Sequence, residues 1–336
     1  TMKRMTTVIG LLLLGLLILA LGIWGALAII LTGDDVGPLR LALAGLFALA
    51  SLSALLGLCM ARWRRRALLA YLLPLAALLF WYQSIEPSNS REWQPDVAVL
   101  PYATIAGDRV TIHNIRNFEY RSETDYTPAY YDRQFDLSQL VGVDLIASYW
   151  MGPAIAHVFL SFAFADGEHL AISIETRKES HESYSTLKGF FRQYELYYVV
   201  ADERDVIRLR TNYRRDPPED VYLYSLKAPI ENGRRLFLEY LHRMNSLKEQ
   251  PEFYNTLTTN CTTGIWMSTR VNPQHVPMSW KVLASGYVPE YLYEQGYLQD
   301  TQRSFAALQR EALINSRARL ADEAADFSRL IRVAQP

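Results

Sequence analysis

Hydrophobic and polar positions fall into two regimes along the chain. The first third is apolar in blocks. Val8 to Leu31 carries no charge, and Leu41 to Met60 is a second run, entered through Arg40. Ala67 to Tyr82 is a shorter third run, ending in the "FWYQ" of Phe80 to Gln83. The first two are long enough to cross a bilayer as helices. Mismatch, snorkelling or helix packing accommodates the third, whose aromatic end suits an interface. A signal peptide followed by buried helices is the alternative, but the first run is too long for it and no small-residue cleavage site follows. "MKRM" precedes the first span, "GDDVGP" (Gly33 to Pro38) follows it, and "RWRRR" (Arg62 to Arg66) separates the second from the third. The positive-inside rule then predicts a cytoplasmic N-terminus and arginine loop. Everything after about Ser84 is then expected on the far side, which in a bacterium is the periplasm or outer surface.

Beyond the spans the periodicity changes. "SIEPSNSREWQP" (Ser84 to Pro95) reads as a polar linker, and Gly107 to Leu137 alternates like strands punctuated by turns. "AHVFLSFAFADGEHLAISIETR" (Ala156 to Arg177) predicts two strands and a tight hairpin. Matching apolar faces requires a three-residue loop, Ala165-Asp166-Gly167, with Gly167 left-handed. Phe164 then pairs with Glu168, Phe162 with Leu170, Leu160 with Ile172 and Val158 with Ile174. On the other face His157 lies opposite Glu175, close enough for the carboxylate to orient the imidazole. Arg234 to Pro251 has helical spacing, with Leu236, Phe237, Tyr240, Leu241 and Met244 on one face. The tail from Thr301 predicts one or two charged amphipathic helices, docked on the domain or lying on a membrane.

These patterns predict an α+β domain behind a membrane anchor: residues 1–83 as three transmembrane helices, 84–106 as linker, 107–300 as the exported domain and 301–336 as tail. The 336 residues carry a net charge of −1, which leaves no bulk basic surface for nucleic acid. Of the two cysteines, Cys59 falls inside the second span, so Cys261 is the only thiol of the exported part. Exported domains usually have paired cysteines or none. A buried inert residue, an intermolecular bridge and a nucleophile all remain open for Cys261. "TTNCTTGIWM" reads as a helix start, with Thr258, Thr259 and Asn260 of capping type and Cys261 in the first turn. There free backbone N–H groups, with Asn260 and Thr262 as neighbouring candidates, favour a thiolate and an oxyanion. Cys261, His157 and Glu175 together supply the nucleophile, base and orienting group of thiol acyl transfer. The ordinary readings are a packed cysteine, a satisfied core histidine and a plain Glu175–Arg177 ion pair. His169 reads as surface. His113, His181, His242 and His275 are scattered without metal-ligand spacing, so no metal or cofactor is expected.

His157, Glu175 and "NCTT", in that order, resemble the circularly permuted branch of the papain-like thiol enzymes. That branch includes the NlpC-type cell-wall peptidases and the lecithin retinol acyltransferase group. More closely, "HVFLSFAFADG", "AISIETRKE", "GFFRQYELYYVVADERDVIRLR" and "PEFYNTLTTNCTT" resemble the exported domain of the Lnb-type lipoprotein N-acyltransferase family, from about Thr111 to Gly296. The resemblance implies acyl transfer from phospholipid, through a thioester on Cys261, to the N-terminal amine of a lipoprotein. His157 is the implied base and Glu175 the implied orienting group. It also implies a multi-pass protein of the bacterial inner membrane with a periplasmic catalytic domain. Members known for N-acylation carry further C-terminal sequence, so the fold and nucleophile transfer more directly than the substrate. A thiol hydrolase of the same fold (a cell-wall peptidase or amidase, or a lipid esterase) and a non-enzymatic envelope scaffold are the competing readings. The Tyr-rich "ELYYVV" and "YVPEYLYEQGYL" are candidates to line an acyl groove.

Overall fold

A computed structural model describes residues 2–33, 36–300 and 302–333, apart from the side chain of Lys3. Asp34 and Asp35 of the acidic loop, Thr301 and the last three residues of the tail lie outside the described residues. The chain divides into two compact units, one of residues 1–88 with 182–194 and one of 89–181 with 195–336.

The first unit contains α1 (Met2–Leu31), α2 (Pro38–Cys59) and α3 (Arg64–Gln83), each long and apolar enough to cross a membrane. Their seam uses small residues, as helix packing in lipid requires. A Cβ on Gly25 would lie 2.3 Å from the Phe47 ring, and one on Gly57 would lie 2.3 Å from that of Ala67. Phe47, Tyr71 and Leu78 fill the seam, while Leu12, Leu46 and Leu73 face outward. α3 begins three residues earlier than the apolar run, taking in Arg64 to Arg66. Arg64 Nε donates to the Leu58 carbonyl at 2.7 Å, satisfying an end group of α2.

The second unit is built on one sheet. Its strands are β1 (Tyr102–Ala106), β2 (Arg109–Arg116), β5 (Tyr130–Asp136), β6 (Leu140–Tyr149), β7 (Ala156–Phe164), β8 (His169–Arg177), β9 (Glu195–Asp202) and β10 (Asp220–Ser225). A separate ribbon pairs β3 (Glu119–Tyr120) with β4 (Tyr126–Thr127). The sheet order is β1-β2-β9-β8-β7-β6-β10, with β5 also on β2. All pairings are antiparallel except the single β2–β9 bridge, Arg116 to Ala201. The helices are α4 (Glu203–Arg208), which widens into a π-helical turn at Leu209–Tyr213, then α5 (Ile230–Glu249), α6 (Cys261–Thr269), α7 (Trp280–Leu283), α8 (Val288–Glu294), α9 (Phe305–Ala312), α10 (Asn315–Leu320) and α11 (Phe327–Leu330).

The β7–β8 hairpin has the expected register where its ladder forms. Phe162 faces Leu170 and Leu160 faces Ile172. The Phe164 N–H donates to the Glu168 carbonyl, and Gly167 is left-handed at φ 88°. The ladder stops at Leu160–Ile172, so Val158–Ile174 and His157–Glu175 are not the ladder pairs the pattern predicts.

Both faces of these strands are buried. α5 and α6 cover one side, with Phe162 against the rings of Phe237 and Tyr240. α4, α10 and α11 cover the other, where Phe159, Ala171 and Val199 meet Ile207, Ala318 and Phe327. The polar residues on this second face are therefore inside and hydrogen-bonded. Ser161 donates to Glu203 at 2.6 Å, and Arg332 of the tail reaches both Glu203 and Asp144.

The tail forms three short helices rather than one or two longer ones. Between α9 and α10 the chain is pulled onto β10: the Ile314 N–H donates to the Val221 carbonyl, and Asn315 Oδ1 accepts from the Val221 N–H. α5 starts four residues before the expected helix but buries the predicted stripe of Leu236, Phe237, Tyr240, Leu241 and Met244.

Gly286 seats the loop that enters β7. A Cβ there would lie 2.1 Å from the Pro153 carbonyl oxygen and 2.9 Å from the Ile155 nitrogen. These are backbone atoms and cannot swing aside. Gly286→Ala is expected to destabilise the protein by about 1–3 kcal/mol. Thermal denaturation checks this, and an unchanged midpoint contradicts it.

Candidate functional site

α6 starts where the sequence places it. Asn260 is the extended N-cap, its Oδ1 accepting from the Thr263 N–H at 2.9 Å. Thr263 Oγ1 accepts in return from the Asn260 N–H, completing a capping box. Cys261 is thus the first helical residue, at the end where the helix dipole favours a thiolate. Its sulphur is half-buried and accepts from the backbone N–H groups of Val158 and Thr262. Where the β7–β8 ladder has ended, Val158 thus gives its N–H to the sulphur.

His157, at the start of β7, hydrogen-bonds the same thiol. Its Nε2 lies 2.7 Å from Ser173 Oγ and 3.4 Å from Glu175 Oε1. The other ring nitrogen, Nδ1, is therefore the one left for sulphur. Ser173 in turn donates to Glu175 Oε1 at 2.8 Å. The expected His157–Glu175 partnership exists, though it is a contact of side chains and not of ladder partners, and Ser173 bridges it.

Behind Glu175 stands a buried ionic chain. Arg210, from the π-helical turn, donates to Glu175 Oε1 at 3.0 Å and lies 3.4 Å from Glu219. Glu219 also accepts from Arg214 at 2.7 Å and from Ser148 of β6. The ordinary Glu175–Arg177 ion pair does not form. Arg177 instead donates to the carbonyls of Val97 and Ala98 and stacks on Trp93.

The charges follow from these contacts. Burial pushes the Cys261 thiol up, but its hydrogen bond with His157, that ring's charge and the two N–H groups hold it below its ordinary value. Burial and the Arg210 charge push the His157 imidazolium down, yet Cys261 and Glu175 together leave it raised. Burial raises Glu175, while His157 and Arg210 hold it well below the usual carboxylate range. Glu219, raised by burial but flanked by Arg210 and Arg214, is held at about 2. The arrangement favours a thiolate–imidazolium pair beside a permanently charged carboxylate. That is a nucleophile next to a group able to give and take a proton.

An apolar cavity of about 790 Å³ begins at Thr262, the residue after the thiol. The α6 stripe of Thr262, Ile265, Trp266 and Thr269 forms one wall, and Leu145 and Leu160 of the sheet form the floor. Tyr291 and Tyr297, from the second Tyr-rich stretch, also line it. The first stretch does not: Tyr197 and Tyr198 are buried strand residues of β9.

Asn260 is committed to capping, its Nδ2 donating to the Thr256 carbonyl at 2.6 Å. The Thr262 hydroxyl donates to the Val282 carbonyl at 2.7 Å, so it is this residue's backbone N–H that faces the sulphur. His113 bonds Asp132 and Thr104, and His169 turns onto the Gly167 carbonyl, both away from the thiol. Among the described residues no group of three His, Cys, Asp or Glu side chains is placed to hold a metal. Ser173 was legible as a neighbour on the His157 face. Arg210 and Glu219 carry no sequence signal, because only the tertiary fold brings them to β8.

Residues 126–286 match the family model of the Lnb N-terminal periplasmic domain. The span includes β7, β8, the π-helical turn and α6, and so Cys261, His157, Ser173, Glu175, Arg210 and Glu219, while Tyr291 and Tyr297 of the cavity lie beyond it. No curated protein and no solved structure matches the chain. With the three apolar helices, the match fits a membrane protein that carries a periplasmic domain.

Alkylation by a small haloacetamide reads the thiolate directly. With its pKa lowered, Cys261 is expected to stay reactive as pH falls below about 8.5, the range where an ordinary thiol protonates. In His157→Ala the burial remains but the imidazolium is gone, so the profile is expected to move upward, to or beyond that value. Identical profiles for the two proteins contradict the pairing.

Proposed function

We propose that this protein is a membrane-anchored thiol acyltransferase that moves an acyl chain from a phospholipid, through a thioester on Cys261, to an amine, that of a lipoprotein N-terminus. The observation that carries this reading is a thiol at a helix start beside the His157–Ser173–Glu175 chain, with the next residue, Thr262, lining an apolar cavity of about 790 Å³. The match to a periplasmic Lnb domain supports the lipoprotein side. The three apolar helices support an anchor that keeps enzyme, donor and acceptor at one bilayer, raising their effective concentration. The order of His157 and Glu175 on strands followed by Cys261 on a helix supports a circularly permuted papain-like fold. We read the membrane as the bacterial inner membrane, with a cytoplasmic N-terminus.

In the first half-reaction the Cys261 thiolate attacks an ester carbonyl of the donor. The C–S bond forms, the ester C–O bond breaks, and His157 gives its proton to the departing glycerol oxygen. In the second, the acceptor amine attacks the thioester, His157 takes the amine proton, and the thiolate leaves. Backbone N–H groups at the start of α6, that of Thr262 among them, stabilise the oxyanion of each tetrahedral intermediate. Glu175, bridged by Ser173, holds the ring and stabilises its positive form. Water in place of the amine would make the same site a hydrolase.

The test is N-acylation of a lipoprotein in vesicles by the full chain and by Cys261→Ser. The substitution is expected to lower the rate by roughly 10³-fold or more while the protein still folds. Unchanged activity sinks the reading, and release of free fatty acid with no acylated amine replaces it with hydrolysis.

A further inference from the structure

Glu182–Tyr194 leaves the sheet unit between β8 and β9, yet belongs to the compact unit of the three apolar helices. Its Arg192 donates to the carbonyls of Tyr82, Gln83 and Ile85 at 2.8, 3.2 and 2.9 Å. The guanidinium also lies 5.0 Å from the centre of the Tyr82 ring. One side chain thus satisfies carbonyls that the end of α3 leaves open. In a spanning helix those carbonyls mark the boundary of the hydrocarbon, where water begins to compete for them. Trp24, packed edge-on to Tyr82 at 5.1 Å, and Trp81 place an aromatic belt at the same end.

The segment is ordered around the buried Tyr194. Its hydroxyl accepts from the Ser185 N–H at 3.0 Å and donates to the Ser183 carbonyl at 2.7 Å. A 3-10 turn at Lys188–Phe190 follows. On this frame Tyr184, Leu187 and Phe190 are 48%, 51% and 41% exposed. Three large apolar side chains in seven residues, with Lys188 among them, are costly in water but match the headgroup–acyl boundary, where aromatic rings and snorkelling lysines are favoured.

We propose that Glu182–Tyr194 is a membrane-seated foot, with Tyr184, Leu187 and Phe190 resting in the lipid interface beside the end of α3. The site-bearing unit is then tied to the bilayer by a second stretch of chain besides the one that leaves α3. The occupant is lipid, because Arg192 fixes the segment at the level where the span ends. This inference rests on α1, α2 and α3 spanning the membrane.

The test uses the full chain in phospholipid vesicles, with Cys59→Ser and Cys261→Ser as background and one environment-sensitive fluorophore at a single new cysteine. Leu187→Cys is compared with Leu73→Cys, on the outward face of α3, and Thr124→Cys, in an exposed loop. The Leu187→Cys label is expected to lose intensity to a nitroxide at the lipid headgroup more than to one deep in the acyl chains, and to resist aqueous iodide. The Leu73→Cys label should respond to the deep nitroxide and the Thr124→Cys label to iodide alone. Iodide quenching of Leu187→Cys equal to that of Thr124→Cys overturns the foot. Shielding from both quenchers also overturns it, since protein, including a second copy of this chain, would then cover the segment. If the Leu73→Cys label also escapes lipid nitroxides, the spanning reading itself fails.

Discussion

Arg210 lies between Glu175 and Glu219 with its guanidinium out of water and bridges the two carboxylates. An isolated charge in such a place costs several kcal/mol, and removing one member of a buried set strands the rest. The set exists because both faces of the sheet are covered. α4, α10 and α11 close over a face that carries Ser148, Ser161, Ser173 and Glu175 alongside its apolar residues. Every polar group there needs a partner inside the fold. Ser148 finds Glu219, Ser161 finds Glu203, Ser173 finds His157 and Glu175, and Arg332 of the tail closes Asp144 and Glu203.

That closure is what gives His157 a fixed direction. Glu175 cannot turn toward solvent without giving up its 3.0 Å ion pair with the buried Arg210, so it holds Ser173 and the ring nitrogen Nε2 in place. The opposite ring nitrogen is left to the thiol. Position comes from the neighbouring device, the early end of the β7–β8 ladder. Past Leu160–Ile172 the Val158 N–H serves sulphur, and the start of α6 fits where another rung would have been. The capping box completes the fit by committing Asn260 to the helix end. The site is thus a consequence of sheet register, helix capping and one buried guanidinium acting together.

Much of this was legible in the chain. Period-two alternation and Gly167 fix the hairpin register, and "TNCTT" marks the helix start one residue before Cys261. His157 and Glu175 follow as neighbours on one face because faces must align, although not as the ladder partners that the register predicts. The places where the reading fell short have physical causes. Alternation of apolar and small polar residues looks like a half-wet strand, and nothing local says that a tail some 150 residues away will bury the polar side. The competing Glu175–Arg177 ion pair is ruled out only by the tertiary fold, which gives Arg177 to the carbonyls of residues 97 and 98 and Glu175 to Arg210. Apolar periodicity in the tail could not reveal that Ile314 and Asn315 would bond to Val221 of β10 and break the helix there.

The proposed chemistry stands or falls on Cys261 carrying the acyl group. Its most direct measurement is mass spectrometry of the intact protein, quenched early after mixing with phospholipid of one defined chain and no amine acceptor, followed by peptide mapping. A mass increase of one acyl group is expected, confined to the peptide bearing Cys261, labile to hydroxylamine at neutral pH and lost on adding the lipoprotein. An unmodified Cys261 under conditions where acyl transfer proceeds contradicts it.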